Sequence, residues 1–407
     1  MNAPLPGESR GRRRAGGALG LFAPLFLKRI DGIDRGLALG SMTVTLPDGT
    51  TRLLGGRGPG PAAELHIRRW RALLRLALRG SGGWYEAWLA GEWTSPDPVQ
   101  LFAVFSRNRA TLAEPGRAAG PWRIAKRGWH WLHRNSRAGS RKNIHFHYDL
   151  GNDFYTRWLD PGMTYSSAIF AAADQSLQEA QQAKLDAMLA RTETKAGDTI
   201  LEIGCGWGSF AETALAGGRA IHGITLSTEQ LSYTRARNPK GLFSLTDYRD
   251  VTGTYDAVVS IEMAEAVGRE YWPAYLSAIA RALKPGGRAA LQIITFDDAL
   301  FEGYAANVDF IQTYIFPGGL LISESAFRAL ASQEGMAWRD EVRFGASYAE
   351  TCKRWRENFD AAAAAGALPR QFDARFVALW RYYLMYCEGG FRGGGIDVLQ
   401  VTLVKER

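Results

Sequence analysis

The glycine-rich segment LEIGCGWGSF, residues 201–210, constrains the fold of this chain more than any other feature. An apolar strand predicted at Thr199–Ile203 runs directly into glycines at positions 204, 206 and 208, and a helix is predicted at Ser209–Ala216. Glycines allow a tight turn and a close approach of the backbone to a ligand. The loop alone is open between a nucleotide cofactor site and a plain tight turn, but the order strand, loop, helix predicts an α/β fold.

The residues that follow the loop repeat the alternation of strand and helix. Further strands are predicted at Ala220–Leu226, from Leu242 onward, at Ala257–Ile261 and at Ala289–Ile294, with a helix at Glu229–Asn238. Strands that alternate with crossover helices predict a mostly parallel sheet.

The N-terminal part has a different pattern. SMTVTLPDGTTRLL, from Ser41, predicts a hairpin around a Pro-Asp-Gly turn. Helices are predicted at Glu64–Arg79, ending at Gly80, and around Val99–Arg109. We therefore expect a smaller α+β domain with its linker at residues 1–143, and a catalytic domain at residues 144–407.

Charge is distributed unevenly between these two parts. Residues 1–143 hold 24 Lys and Arg against 9 Asp and Glu, whereas residues 144–407 hold 25 against 32, so that net charges of +15 and −7 make up the total of +8. A basic half favours an anionic partner, either nucleic acid or lipid headgroups. The same charge also fits a basic surface that serves only solubility. Tryptophans at positions 122, 129 and 131 fit a bilayer surface and a packed linker equally well. No apolar run is long enough for a transmembrane helix, and three widely spaced cysteines predict neither disulfides nor a zinc site.

Two further features favour S-adenosylmethionine as the cofactor. Glu202 stands directly before the loop, and LKPGG at residues 283–287 resembles the turn that methyltransferases place before their fifth strand. The pair predicts a Rossmann-like class I S-adenosylmethionine methyltransferase with a mostly parallel seven-stranded sheet. The second strand ends without the acid that often holds the ribose, and Gln230 is the nearest polar group able to do so.

Several motifs in order resemble the cyclopropane-fatty-acyl-phospholipid synthases and their mycolic-acid-modifying relatives over essentially the whole chain. They are HYDLGNDFY from residue 147, YSSA from 165, EAQQAKLD from 179, TLSTEQ from 225, DYRD from 247, YIFPGG from 314, FGASYAET from 344 and CEGGFR from 387. The N-terminal part resembles the family more loosely.

The resemblance implies a cofactor site and a catalytic site. The positions implied at S-adenosylmethionine are Tyr165 and Ser166, Gly204 and Gly206 at its methionine part, Thr225, Leu226 and Gln230 near the ribose, and Asp247 and Tyr248 near the adenine. Cyclopropane-forming members use bound bicarbonate as the base, held by a glutamate, a histidine, a tyrosine and backbone groups, one of them at a cysteine. The matching positions here are Glu265, Gln292, Tyr348 and Ser167, so that glutamine and serine replace histidine and cysteine.

Gln292 makes this anion site weaker, because an amide carries no positive charge and relays no proton. Whether bicarbonate binds here as a second cofactor is left open by the sequence; where it is poorly held, Glu265 itself is expected to act as base or counter-charge, oriented by Tyr348. Aromatic side chains at positions 165, 170, 310, 314 and 348 are candidates for stabilising a carbocation, and about half of any such set is expected to be plain core. No metal is expected, since His145 and His147 have no ligand cluster near them.

The predicted function is methyl transfer from S-adenosylmethionine to the double bond of unsaturated acyl chains of phospholipids, through a carbocation, giving a cyclopropane or a methyl-branched or methylene fatty acid. The alternatives are a lipid-binding family member that has lost catalysis, and a small-molecule methyltransferase. The expected partner is an unsaturated phospholipid in an anionic membrane and not a nucleic acid, with a cytoplasmic, peripheral location at the inner face of the membrane. The oligomeric state is left open, a homo-oligomer included.

Overall fold

A computed structural model describes residues 23–112 and 150–406 of the chain. They belong to two compact units, one within Met1–Lys126 and Arg356–Gly394, the other within Arg127–Trp355 and Gly395–Arg407. Residues 356–394, which the sequence-based boundary at 143 assigns to the catalytic part, thus pack within the first unit. The functional assignment of the two domains stays a prediction.

The first unit is an α+β arrangement on a four-stranded sheet of order β2-β1-β3-β4. Its hairpin is confirmed, since β1 and β2 pair antiparallel on either side of the Pro-Asp-Gly turn. The strands of this unit are β1 Ser41–Thr45, β2 Thr51–Gly55, β3 Ala62–Ile67 and β4 Trp93–Thr94, and its helices are α1 Ala23–Gly36, α2 Arg71–Leu89, α3 Pro98–Arg107 and α13 Ala374–Gly393.

The predicted helix Glu64–Arg79 is wrong in its first part. Ala62–Ile67 is a strand that pairs in parallel with β1, and its alternate residues Leu65 and Ile67 are buried. The helix begins only at Arg71. At Gly80 the backbone leaves the helical region, with φ 61° and ψ −144°, so that two helical segments meet at a kink there, in agreement with the predicted helix end.

The second unit contains the α/β sheet. Its strands are β5 Thr199–Ile203, β6 Ala220–Thr225, β7 Leu242–Leu245, β8 Tyr255–Ile261, β9 Leu283–Phe296, β10 Ile322–Ser323, β11 Met336–Arg343 and β12 Ile396–Lys405. Its helices are α4 Asn152–Tyr155, α5 Leu177–Arg191, α6 Ser209–Ala216, α7 Thr228–Arg237, α8 Trp272–Ala282, α9 Asp298–Ala305, α10 Phe310–Tyr314 and α11 Glu324–Gln333, and α12 Gly345–Ala364 begins within it.

The sheet has the order β11-β12-β9-β8-β5-β6-β7, with the short β10 beside β9. Strands β5 to β9 run parallel to one another, and β12 is antiparallel to both β9 and β11. The predicted mostly parallel α/β sheet is therefore confirmed. In such a sheet the carboxyl ends of the parallel strands meet at one edge, where ligands bind.

No helix within residues 23–112 and 150–406 is both long enough and apolar enough to cross a membrane. All three cysteines are free, with Cys205 and Cys352 buried and Cys387 partly so.

Candidate functional site

The glycine loop leaves β5 at the carboxyl edge of the sheet in a conformation that requires glycine. Gly204, Gly206 and Gly208 all have positive φ, at 82°, 51° and 85°. A Cβ at Gly204 would lie 2.4 Å from Cγ of Met263, whereas a Cβ at Gly206 would meet no heavy atom within 4 Å. The loop therefore packs tightly on the protein at Gly204 and faces open space at Gly206, as a backbone cradle for a ligand does.

Glu202 supplies an independent sign of a ligand at this loop. Its side chain is 4% exposed, and its Oε2 has no hydrogen-bond partner among the described residues. Burial raises the pKa of this carboxyl well above its usual range. An unsatisfied buried oxygen beside an open cradle fits S-adenosylmethionine, whose amino and hydroxyl groups donate hydrogen bonds.

The end of β6 holds the residues implied at the ribose. The Thr225 hydroxyl donates to Gln230 Oε1 at 3.0 Å, and the Ser227 amide donates to the Thr225 hydroxyl at 3.1 Å. Both Thr225 and Gln230 are buried, and Leu226 between them is partly exposed. The structure thus brings Thr225, Leu226 and Gln230 together at the sheet edge, at the end of the strand that pairs directly with β7.

Asp247 and Tyr248 follow β7 at the same edge. The Asp247 carboxylate accepts from Arg249 at 2.6 Å and 2.8 Å, and Tyr248 is buried with its ring 5.4 Å from that of Tyr275. Asp247 is therefore fixed by an ion pair. Its role and that of Tyr248 at the adenine stay predictions.

Tyr165 and Ser166 lie in the segment before α5. A fully buried lysine, Lys184, donates from Nζ to the Ser166 hydroxyl at 2.6 Å, and the Gln181 amide donates to the Ser166 carbonyl at 2.9 Å. Burial lowers the pKa of Lys184 to about 8, although the nearby charges of Glu262, Asp160 and Glu202 oppose that shift. The EAQQAKLD motif thus positions the segment that carries the predicted cofactor and catalytic residues.

The centre of the site is a carboxylate that the sequence analysis did not single out, Glu262. The Ser167 amide and the Gln292 side-chain amide each donate to its Oε1 at 2.8 Å, and the Tyr348 hydroxyl donates to its Oε2 at 2.6 Å. Three of the four predicted catalytic residues therefore converge on one side chain.

The backbone at Glu262 is itself unusual. Glu262 has φ 51°, in the left-handed region that costs a residue with a side chain about 1–2 kcal/mol. It follows β8 directly, and its amide donates to the Gln292 carbonyl at 2.8 Å. Parallel pairing of Ile261 with Gln292 thus places Glu262 beside Gln292.

Gln292 is held in one orientation by a neighbouring strand. Gln400 on β12 is its register partner, and the Gln400 amide donates to Gln292 Oε1 at 3.1 Å. Both hydrogens of the Gln292 amide are then used, one by Glu262 and one by the Ser167 carbonyl at 3.2 Å. Because both amides are buried, reversing either would leave donors and acceptors unmatched.

Glu265 lies close to this group without joining it. Its Oε1 accepts a short hydrogen bond from the Ile294 amide, and its Oε2 has no hydrogen-bond partner among the described residues. The expectation that Tyr348 orients Glu265 is not met, because the single hydroxyl proton of Tyr348 is directed to Glu262. The catalytic role of Glu265 stays a prediction.

The two glutamates influence each other electrostatically. Burial, and then the Glu262 charge, raises the pKa of Glu265 to about 8. Burial also raises the pKa of Glu262, against the hydrogen bonds from Tyr348, Ser167 and Gln292 and the charge of Lys184. Glu265 is therefore largely protonated at neutral pH, and Glu262 is the better stabilised of the two as an anion.

Aromatic rings surround this part of the second unit. The Tyr165 ring lies 5.3 Å from that of Trp355, 5.5 Å from that of Trp158 and 6.5 Å from that of Phe316, and Tyr348 lies 6.2 Å from Trp355. Of the other candidates, Phe310 packs on Tyr314 at 5.5 Å, and Phe170 lies under the Arg354 guanidinium. Tyr165 and Tyr348 are thus joined through Trp355, which the sequence analysis missed.

Two signals in the sequence could have indicated the missed residues. Glu262 is a charged residue placed directly after a buried parallel strand, which is where ligand-binding residues of such sheets lie. Lys184 stands at helical spacing from the apolar residues Ala180 and Met188, and so on the side of its helix that is expected to be buried. In residues 23–112 and 150–406, no group of three or more His, Cys, Asp and Glu could hold a metal ion. His145 and His147 lie outside the described residues.

Known proteins resemble this chain in sequence and in structure. Residues 135–401 match the family model described as mycolic acid cyclopropane synthetase. The chain is 37% identical over 375 residues to tuberculostearic acid methyltransferase UfaA1 of Mycobacterium tuberculosis, covering 85% of this chain and 84% of that protein. It is 33% identical over 344 residues to the cyclopropane-fatty-acyl-phospholipid synthase of Escherichia coli K12, covering 84% and 87%.

A solved structure agrees with these matches. The cyclopropane synthase MmaA2 from Mycobacterium tuberculosis aligns with a TM-score of 0.60 and 29% identity over 65% of this chain and 98% of that one. The sequence-based family and fold class are confirmed, and with them S-adenosylmethionine as the cofactor, which the open cradle at Gly206 fits. The chain belongs to the mycolic acid cyclopropane synthetase family and is an S-adenosylmethionine-dependent methyltransferase.

Proposed function

We propose that this enzyme methylates the double bond of unsaturated acyl chains in phospholipids, and that cyclopropane is not its only product. The observation that carries the proposal is a carboxylate, Glu262, which binds the hydroxyl of Tyr348 and directly precedes Met263, whose side chain packs on Gly204 of the cofactor loop. The relatives support a lipid substrate, since their names include both a methyltransferase of a fatty acid and a cyclopropane synthase of a phospholipid.

An isolated alkene is a weak nucleophile, so its methylation requires a site that excludes water and stabilises positive charge. S-adenosylmethionine supplies an electrophilic methyl group when it is bound. Tyr165 and Phe316, whose rings stack at 6.5 Å and which are both partly exposed, stabilise a developing cation without capturing it. The negative charge of Glu262 adds an attraction that strengthens where water is absent.

The product depends on which proton the cation loses. Loss of a proton from the transferred methyl group with ring closure gives a cyclopropane. Loss of a proton from a chain carbon gives a methyl-branched alkene. A hydride shift, followed by proton loss from the methyl group, gives a chain that carries a methylene group. Ring closure in the relatives implied by the resemblance uses a base held by a histidine. Gln292 stands at that position and Ala266 follows Glu265, so neither supplies a titratable imidazole. A change of about 1.4 kcal/mol between the competing barriers alters the product ratio tenfold.

The test is direct. The full chain is incubated with S-adenosylmethionine and vesicles of a mono-unsaturated phospholipid, and the fatty esters are identified by mass spectrometry and proton NMR. We expect esters heavier by one CH₂ unit with methylene or methyl-branch signals, and no change in vesicles of the saturated phospholipid. Cyclopropane protons as the only new signal would contradict the product assignment, and unmodified esters would contradict the lipid substrate.

The same proposal includes attachment to an anionic bilayer through the basic N-terminal part. Many arginines of the first unit are neutralised by ion pairs, as Arg75 and Arg79 are by Glu86. Arg68 and Arg69, between β3 and α2, are exposed and are available to lipid phosphates. Each basic residue near such a surface contributes about 1 kcal/mol, which salt screens.

A further inference from the structure

We infer that the carboxylate of Glu262 occupies the anion position of this active site, so that the enzyme carries its own base and does not use bicarbonate. This inference rests on the proposed function for the substrate, but the assignment of the anion position rests on geometry alone.

The hydrogen-bond donors are the first argument. The resemblance assigns the bicarbonate of cyclopropane-forming relatives to a site made by the positions of Ser167, Gln292 and Tyr348, together with Glu265. In this chain the first three donate to the two oxygens of Glu262 at 2.8, 2.8 and 2.6 Å. A carboxylate has the same planar pair of oxygens as bicarbonate, and it therefore satisfies the same donors.

The second argument is that these donors are used up. The Ser167 amide and the Tyr348 hydroxyl have one hydrogen each, and both are directed to Glu262. The second hydrogen of the Gln292 amide goes to the Ser167 carbonyl, and Gln400 fixes that orientation. A free anion could use these donors only if Glu262 released them, and the two anions would then repel each other in one partly buried space.

The third argument is the backbone of Glu262. A left-handed φ of 51° is unfavourable for glutamate and is retained here while three groups bind its side chain. Strained conformations of this kind concentrate at functional sites. As a residue Glu262 is partly exposed, although its carboxyl is surrounded by the protein enough for burial to raise its pKa.

The chemistry balances without a further reagent. The alkene π electrons form the new C–CH₃ bond as the C–S bond breaks, and its electron pair stays on the sulfur of the leaving S-adenosylhomocysteine. The neighbouring carbon is then cationic. Glu262 Oε2, which accepts only one hydrogen bond in the described residues, takes a proton from a C–H bond adjacent to the cation or on the methyl group. The electrons of that bond close the new double bond or ring, and the proton stays on the Glu262 carboxyl until it passes to solvent.

Glu265 has a supporting part in this arrangement. Its Oε1 accepts a hydrogen bond from the Ile294 amide, which fixes it near Glu262, while burial and the Glu262 charge raise its pKa to about 8, so that Glu265 does not compete with Glu262 as the anion. Glu265 is thus a positioning residue.

The experiment compares the full-length protein with its Glu262→Gly and Glu262→Gln variants. Glycine suits the left-handed backbone and frees all three donors, while glutamine keeps the shape and removes the charge. Glu193→Gly is the matched control, because Glu193 also has positive φ, at 50°, and its side chain is 62% exposed on the surface. Binding of ¹³C-bicarbonate is followed by NMR, and turnover is measured on mono-unsaturated vesicles in buffer free of carbon dioxide and with added bicarbonate.

We expect no bicarbonate binding to the native protein or to Glu193→Gly, and saturable binding to Glu262→Gly. Turnover of the native protein should be independent of bicarbonate. The Glu262→Gln variant should lose about 100-fold or more in turnover while it still binds S-adenosylmethionine. Added bicarbonate or formate should partly restore the turnover of Glu262→Gly. Bicarbonate binding to the native protein, a native rate that rises with bicarbonate, or undiminished turnover of Glu262→Gln would overturn the inference. If the native protein modifies no lipid but the binding pattern holds, the anion position is correct and the proposed substrate is wrong.

Discussion

The raised pKa of Glu265 has a measurable effect on stability. A buried carboxyl whose pKa rises from 4.5 to about 8 binds its proton more tightly in the folded than in the unfolded protein. Between these two values the folded state holds more protons, so its stability falls as pH rises. The limiting slope is about 1.4 kcal/mol per pH unit, which gives a loss of about 2–3 kcal/mol between pH 5 and pH 7 from this residue alone.

Glu265→Gln removes that contribution, because glutamine resembles the protonated acid and leaves the surroundings of Glu262 as they are at low pH. The assay is urea unfolding of both proteins at several pH values from 5 to 8. We expect the stability difference between the variant and the native protein to shift in favour of the variant by about 2–3 kcal/mol over the first two pH units. Other buried acids affect both proteins alike and cancel in that difference. Two stability curves that stay parallel over this range would refute the assignment of a neutral Glu265.

Two further predictions concern the cofactor and the membrane. Gly206→Val should abolish the binding of S-adenosylmethionine, measured by calorimetry, while the protein stays folded, because the valine side chain would enter the open cradle rather than the core. An unchanged affinity would exclude the loop from the cofactor site. Replacing Arg68 and Arg69 together by Glu should weaken the affinity for anionic vesicles in co-sedimentation by more than about tenfold at low salt. The control Arg339→Glu, at an exposed position of the second unit, should leave this affinity nearly unchanged. Equal effects of both changes, or binding that does not respond to salt, would argue against a specific basic face.

The strongly patterned elements of the sheet could be predicted from the sequence. The strand Thr199–Ile203 and the helix Ser209–Ala216 have the predicted bounds, because an apolar run, a glycine loop and a helix start follow one another without ambiguity. Ala62–Ile67 could not be read as easily, since its composition of Ala, Glu, Leu and His suits a helix. Its pairing with β1 comes from a segment about twenty residues earlier and overrides the local preference.

The catalytic site could be predicted only in part. Matching to a family selects positions where the family has functional residues, and it therefore drew attention to Gln292, Tyr348 and Ser167. A new function at a position outside those motifs is invisible to that comparison. The position of Glu262 after a buried strand is a weak signal, and its role depends on the Ser167 amide and the Gln292 and Tyr348 side chains, which converge on it only in the folded chain.

The left-handed backbone at Glu262 has a genetic consequence. Glycine is the residue that this conformation tolerates best, and the codons of glutamate and glycine differ by one base in the second position. A single transition would therefore exchange a tethered carboxylate for a pocket that must be filled from the dissolved carbon dioxide of the cell. Lineages of such enzymes could pass in either direction between dependence on that metabolite and independence of it, with no change elsewhere in the fold.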